Sequence, residues 1–306
     1  MNLLFLLIGL TFLIIGAEAV IRGSVSIGKK LNVSLFVIGI VIVAGGTSLP
    51  ELASSISAVI SGHSNLALGA VVGSNIANLI LIMASTTLLV PISNINKNQI
   101  NQASLNIFLA IVLILMGILS ISFNYFFGLV AVLSLSIIMF FQFKKSDHNI
   151  DDVDEKASYS LFVSTVFIIL GIVLLIYGSS LFVSSAINIA TYLNIPESIV
   201  GISIVAFGTS LPELVVGIMS ALKRRIDFAL GNILGSNIYN VLGVLGISSF
   251  FGDFKMPISL VTQDLIFMLF VTLLILIVML FMRRIGRSYG ILGILLYISY
   301  IFYIYN

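Results

Sequence analysis

A run of about 20 consecutive apolar residues leaves a chain few options, because it matches the ~30 Å hydrocarbon thickness of a bilayer once coiled into a helix. This chain carries ten such runs almost end to end: 3–21, 33–61, 66–90, 103–121, 125–143, 159–185, 195–221, 228–250, 261–282 and 288–305. None alternates in the manner of a barrel strand, and lipid tolerates only helices or closed barrels. The expected fold class is therefore an all-α integral membrane protein. Composition agrees: charged residues are 8% of the chain against the quarter or so that coats a soluble domain, and mean hydropathy is +1.22. The first run has no basic segment before it and is long enough to span, so it reads as a helix and not as a removable signal. A net charge of +2 offers no footprint for nucleic acid, and the lack of cysteine excludes disulfides and thiolate metal sites.

Ten spans place the two termini and the even-numbered loops on one face. Of the 14 Lys and Arg, only Lys255 falls there; Arg22, Lys29, Lys30, Lys97, Lys144, Lys145, Lys156, Lys223, Arg224, Arg225, Arg283, Arg284 and Arg287 fall on the other. The positive-inside rule then makes the 144–158 loop cytoplasmic and both termini extracellular, in the cell membrane.

The chain also repeats itself. Ala44-Gly45-Gly46-Thr47-Ser48-Leu49-Pro50-Glu51 recurs 162 positions later as Ala206-Phe207-Gly208-Thr209-Ser210-Leu211-Pro212-Glu213. Gly73-Ser74-Asn75-Ile76-Ala77-Asn78 recurs at the same offset as Gly235-Ser236-Asn237-Ile238-Tyr239-Asn240. Each copy sits in a block of five spans, an odd number, so the second enters the membrane from the opposite face. The expected organisation is two inverted-topology halves, 1–143 and 159–306, joined by a short solvated linker at 144–158. Secondary transporters use this plan and bind cargo at the repeat interface.

Glu51 and Glu213 are the carboxylates that fall deep inside spans. A charge there costs about 2.5–3.5 kcal/mol on insertion scales and needs a partner, yet these spans supply no Lys, Arg or His. A bound cation is the simplest partner. Pro50 and Pro212 lack the N–H that would bond the carbonyls of Gly46 and Gly208, so the second and seventh helices are expected to break near mid-membrane. Thr47 and Ser48 lie four and three residues before Glu51, and Ser74 and Asn78 are four apart, as are Ser236 and Asn240. Bringing the copies together gathers Glu51, Glu213, Thr47, Ser48, Thr209, Ser210, Ser74, Ser236, Asn78 and Asn240 into an all-oxygen set. Hard oxygen ligands in a flexible cage suit Ca²⁺, and Na⁺ takes the same ligand type.

The paired GTSLPE and GSNIxN stretches resemble the two alpha-repeats of the cation/Ca²⁺ exchanger superfamily, most closely its prokaryotic Na⁺/Ca²⁺ exchanger branch. The resemblance covers both halves. It implies an antiporter, not an enzyme, that binds Na⁺ and Ca²⁺ in turn without a cofactor or protein partner, as a monomer. It implies Glu51 and Glu213 as principal ligands, with Thr47, Ser48, Thr209, Ser210, Ser74, Ser236, Asn78, Asn240 and backbone at Ala44 and Ala206 beside them. It further implies that the first and sixth spans slide across a fixed core. One departure stands out: many prokaryotic and K⁺-dependent relatives carry an acid where this chain has Asn78 or Asn240, which argues against K⁺ co-transport. Ca²⁺/H⁺ exchange is the runner-up, and a passive cation channel a more distant rival.

Other features read as structural. Glu18 and Arg22 form an i, i+4 pair, and Asp264 ends the ninth span. Gly69-x-x-x-Gly73 and Gly231-x-x-x-Gly235 are helix-packing notches. Asp147–Asp152 lacks the glycine a calcium loop needs at its sharp turn. The tyrosines from Tyr289 to Tyr305 fit an interfacial belt with packing.

Overall fold

A computed structural model describes residues 2–146, 159–193 and 208–305. Its helices are α1 (Asn2–Leu31), α2 (Leu35–Thr47), α3 (Leu49–Ile60), α4 (Ser64–Leu89), α5 (Lys97–Ile118) and α6 (Tyr125–Lys144), followed by α7 (Leu161–Tyr192), α8 (Leu211–Leu222), α9 (Ile226–Ser248), α10 (Ile258–Met282) and α11 (Arg287–Tyr305). Polar residues set the starts: Asn96 and Gln99 close a capping box on α5, and Ser160 caps α7 through the Val163 N–H. Seven of these helices are long and apolar enough to cross a membrane, and the bent pair α2–α3 adds an eighth. α8 is apolar but short, and the residues before it, 194–207, lie outside those described. The linker beyond Ser146, with the Asp147–Asp152 stretch, also lies outside them.

Burial sorts the helices by depth. α9 is buried along nearly its whole length, whereas α6 and α10 turn Phe126, Phe140, Phe270 and Phe281 outward. Large apolar side chains facing outward all around the bundle are what a lipid-facing surface requires, since lipid is as apolar as they are.

α1 and α7 form a layer of their own, packed antiparallel. Gly9, Gly16 and Gly23 recur every seventh residue on α1 and meet Gly178, Gly171 and Ser164 on α7. A Cβ at Gly16 would stand 2.8 Å from the Gly171 carbonyl, and one at Gly171 2.7 Å from the Gly16 carbonyl. Only glycine permits this backbone contact, which supplies the dispersion energy that the hydrophobic effect cannot supply within lipid. Shifted by the repeat offset, Gly9 becomes Gly171 and Gly16 becomes Gly178. The seam is thus its own mate under a two-fold axis, as an isologous contact must be.

The rest of the bundle is fastened across the halves by two short pieces of antiparallel backbone pairing. β1 (Ser122–Phe123) pairs with β2 (Phe254–Lys255), and Ile92 bridges Ile285 with N–H···O bonds of 3.0 and 2.8 Å. Phe123 opposite Phe254 and Ile285 opposite Ile92 are again the same pair read through the offset. The Phe123 and Phe254 rings stack 5.0 Å apart.

Candidate cation site

α2 and α3 meet at a 41° bend at Ser48. Pro50 sits in the first turn of α3 and Pro212 in the first turn of α8, where a missing N–H costs nothing. Each glutamate follows immediately, in the turn where the helix dipole favours a negative charge. Both are enclosed, Glu51 1% and Glu213 2% exposed.

The carboxylates are served crosswise. Glu51 faces the hydroxyls of Thr209 and Ser210, and Glu213 those of Thr47 and Ser48. The same-helix spacing of Thr47 and Ser48 to Glu51 suggested one shared face; the bend at Ser48 instead turns these hydroxyls to the other half. The two carboxyl groups also lie close enough to feel one another's charge.

Ser210 donates to Ser74 Oγ at 3.2 Å, a second crossing between the halves, and the Thr47 hydroxyl lies 3.3 Å from Asn232 Oδ1. Asn78 Nδ2 donates to Asn237 Oδ1 at 2.9 Å, and Asn240 Nδ2 to Asn75 Oδ1 at 3.0 Å. Asn75 and Asn237 in turn reach each other's carbonyls. With its NH₂ occupied, each of Asn78 and Asn240 holds its amide oxygen in a fixed direction. Among the described residues those two oxygens have no hydrogen-bond partner, and neither do Glu51 Oε2, Glu213 Oε2, Ser48 Oγ and Ser236 Oγ. Buried oxygens left unpaired are costly unless something electropositive completes them. Six from two repeated motifs are oxygens of the type a hard cation takes as ligands.

Among the described residues no group of three His, Cys, Asp or Glu is placed to hold a metal. Ala44 is buried, and its carbonyl accepts the Ser48 N–H at 3.1 Å; Ala206 lies outside the described residues. The carbonyl of Gly208, freed by Pro212 as expected, is taken up by the Ser179 hydroxyl at 2.6 Å.

Gly231 and Gly235 pack against Phe36, Ile40 and Ala44, as packing notches should. Among the described residues nothing stands within 4 Å of a Cβ built on Gly69 or Gly73, and both border a cavity of about 550 Å³ that runs from Ser74 and Thr209 to Asp264 and Tyr300. Their repeat mates' neighbours correspond to positions 198, 202 and 206, outside the described residues. Two tyrosines of the expected interfacial belt bond inward: Tyr289 to the Leu79 carbonyl and Tyr300 to Asp264, both at 2.7 Å. Sequence reasoning missed the roles of Asn75, Asn237 and Asn232. The first two stood inside the repeated GSNIxN motif, one position off the Ser74–Asn78 face, and that offset is what points them at the opposite copy.

A multi-pass membrane protein with a helix broken at Ser48 and two enclosed carboxylates, each facing hydroxyls of the other repeated motif, has the makings of a cation transporter. Residues 1–144 and 163–306 match the family described as sodium/calcium exchanger protein, and the chain belongs to that family, one of transporters and not enzymes. It is 32% identical to the sodium/calcium exchanger MaX1 of Methanosarcina acetivorans, over 87% of this chain and 86% of that protein. It is 34% identical to the putative antiporter CaxA of Alkalimonas amylolytica, over 80% and 79%. The solved sodium/calcium exchanger of Methanococcus jannaschii superposes with a TM-score of 0.85 at 31% identity, covering 98% of this chain and 97% of that one.

Proposed function

We propose that this chain exchanges Na⁺ for Ca²⁺ across the cell membrane by alternating access, with Glu51 and Glu213 as the charged ligands. Thr47, Ser48, Thr209, Ser210, Ser74, Ser236, Asn78, Asn240 and backbone at Ala44 and Ala206 complete the cage. The observation that carries the reading is the pair of enclosed carboxylates, each with an unpartnered oxygen and each facing hydroxyls of the opposite half. Ca²⁺ neutralises both charges at once; Na⁺ ions bound to the same oxygens do so in turn.

The architecture is ten spans in two inverted halves, 1–143 and 159–306, joined at 144–158. The antiparallel, self-mated seam supports it, since a parallel repeat would pair the corresponding helices in the same direction, and the offset-related bridges agree with a two-fold relation. Both termini face outward, the linker is cytoplasmic, and one chain suffices for transport.

Sealed vesicles loaded with Na⁺ test the reading. Outward Na⁺ should drive Ca²⁺ uptake, and collapse of the Na⁺ gradient should stop it. Uptake that follows a pH gradient and ignores Na⁺ replaces this reading with Ca²⁺/H⁺ exchange, and downhill flux coupled to neither makes the protein a channel.

A further inference from the structure

The two-fold relation between the halves implies a mirror arrangement in which they exchange roles. In the arrangement described, α1 packs along α8, and α7 makes no comparable contact with α3. In the mirror, α7 lies along α3 and α1 leaves α8. Backbone contact along the seam keeps α1 and α7 together, so the pair moves as one body between the two.

Two polar ties fix that body to α8 and its approach. Glu18 Oε1 on α1 lies 2.7 Å from Lys223 Nζ at the C-terminal end of α8 and 2.5 Å from Arg22 Nε. Glu18 and Lys223 are each about a quarter exposed, so water only partly screens the pair. Ser179 on α7 donates to the Gly208 carbonyl just before α8. The repeat mates carry neither tie. Glu18 and Lys223 correspond to Ser180 and Ser61, which cannot form an ion pair, and Ser179 corresponds to Ala17, which has no hydroxyl to offer Gly46.

We infer that Glu18, Lys223 and Ser179 are positioning residues that set the balance between the two access states. They hold the α1–α7 pair over α8, seal the site on the Lys223 face, and make this state more stable than its mirror. The inference rests on the alternating-access reading above. An apparent dissociation constant measured from one face equals the intrinsic one divided by the fraction of protein open to that face. Loss of a tie therefore weakens apparent Ca²⁺ affinity on the Ser61 face and strengthens it on the Lys223 face. A defect in the cage itself would weaken both.

Vesicles of each orientation give the two apparent affinities. Glu18→Gln and Ser179→Ala should each change the ratio between faces by about threefold to tenfold, the worth of a net hydrogen bond or partly exposed ion pair. The double variant Ser180→Glu with Ser61→Lys, which grafts the tie onto the mirror position, stabilises the mirror state and should shift the ratio in the same direction as Glu18→Gln; a shift the opposite way overturns the inference. Equal shifts on both faces, or none, overturn the inference.

A measurement independent of transport uses the chain's lack of cysteine. Nitroxides on Ile60→Cys and Tyr192→Cys, both well exposed, report the separation of α3 and α7. Glu18→Gln should enlarge a population at shorter distance, and an unchanged distribution refutes the idea. Absence of Na⁺-driven Ca²⁺ uptake in the wild type would instead strike at the function proposed above, and leaves the distance test standing.

Discussion

The centre of the molecule largely obeys its repeat, and the ties at the ends of α8 do not. Around Glu51 and Glu213 most contacts of one half are answered by the other: hydroxyls cross both ways, Asn78 and Asn240 lean on Asn237 and Asn75, and the seam glycines match through the offset, while Thr47–Asn232 finds only Ala70 at the mate position. Some 162 residues from Glu18 and from Lys223, the repeat holds only serines. The difference separates two jobs. A cage that must take its ion from either face needs equivalent halves, whereas a bias between two access states can come only from residues the halves do not share.

The equivalence can be attacked at several strengths. Glu51→Gln and Glu213→Gln each remove a charged ligand without changing shape, so Na⁺-driven Ca²⁺ uptake should fall by about two orders of magnitude or more in both, with unaltered size-exclusion behaviour. Wild-type flux in either would mean the two halves are not equivalent at the centre. At the seam, Gly16→Ala and Gly171→Ala push a methyl into opposing backbone and should cost about 1–3 kcal/mol each, read as matched drops in thermal midpoint in detergent. A drop in one alone would break the two-fold relation.

A subtler pair is Asn75→Ala and Asn237→Ala, which release the amides of Asn240 and Asn78. Calorimetry should show Ca²⁺ affinity falling roughly tenfold in each, a net hydrogen bond's worth. The smallest effect sharpens the comparison by spoiling it. Asn240→Asp adds a titratable ligand to one half, so transport should decline as pH falls and the new carboxyl protonates, while the wild type changes less over the same range. A flat response in the variant would place residue 240 outside the cage.

Much of this could be read before any coordinates. Apolar runs lead to a mostly helical membrane protein because hydrocarbon thickness leaves little else. Glu51 and Glu213 stood out because a buried charge needs an answer. What the sequence left hidden depends on contacts between distant segments. Helical spacing placed Thr47 and Ser48 beside Glu51, but the turn of the backbone at Ser48 hands them to Glu213. Glu18 announced its neighbour Arg22, yet Lys223 lies 205 positions away and carries no local signal. The Ile92–Ile285 and Phe123–Phe254 bridges were equally silent, since two residues of pairing leave no periodic pattern.

Those bridges bear on how ions cross. In the proposed topology one stands at each face, and each stitches a loop of one half to a loop of the other. Tilting the halves about the midplane would tear backbone hydrogen bonds at one face or the other. On the proposed reading such a chassis neither rocks nor carries its cargo up and down as an elevator does: the ion stays at the waist of the protein while a two-helix shutter is drawn past it.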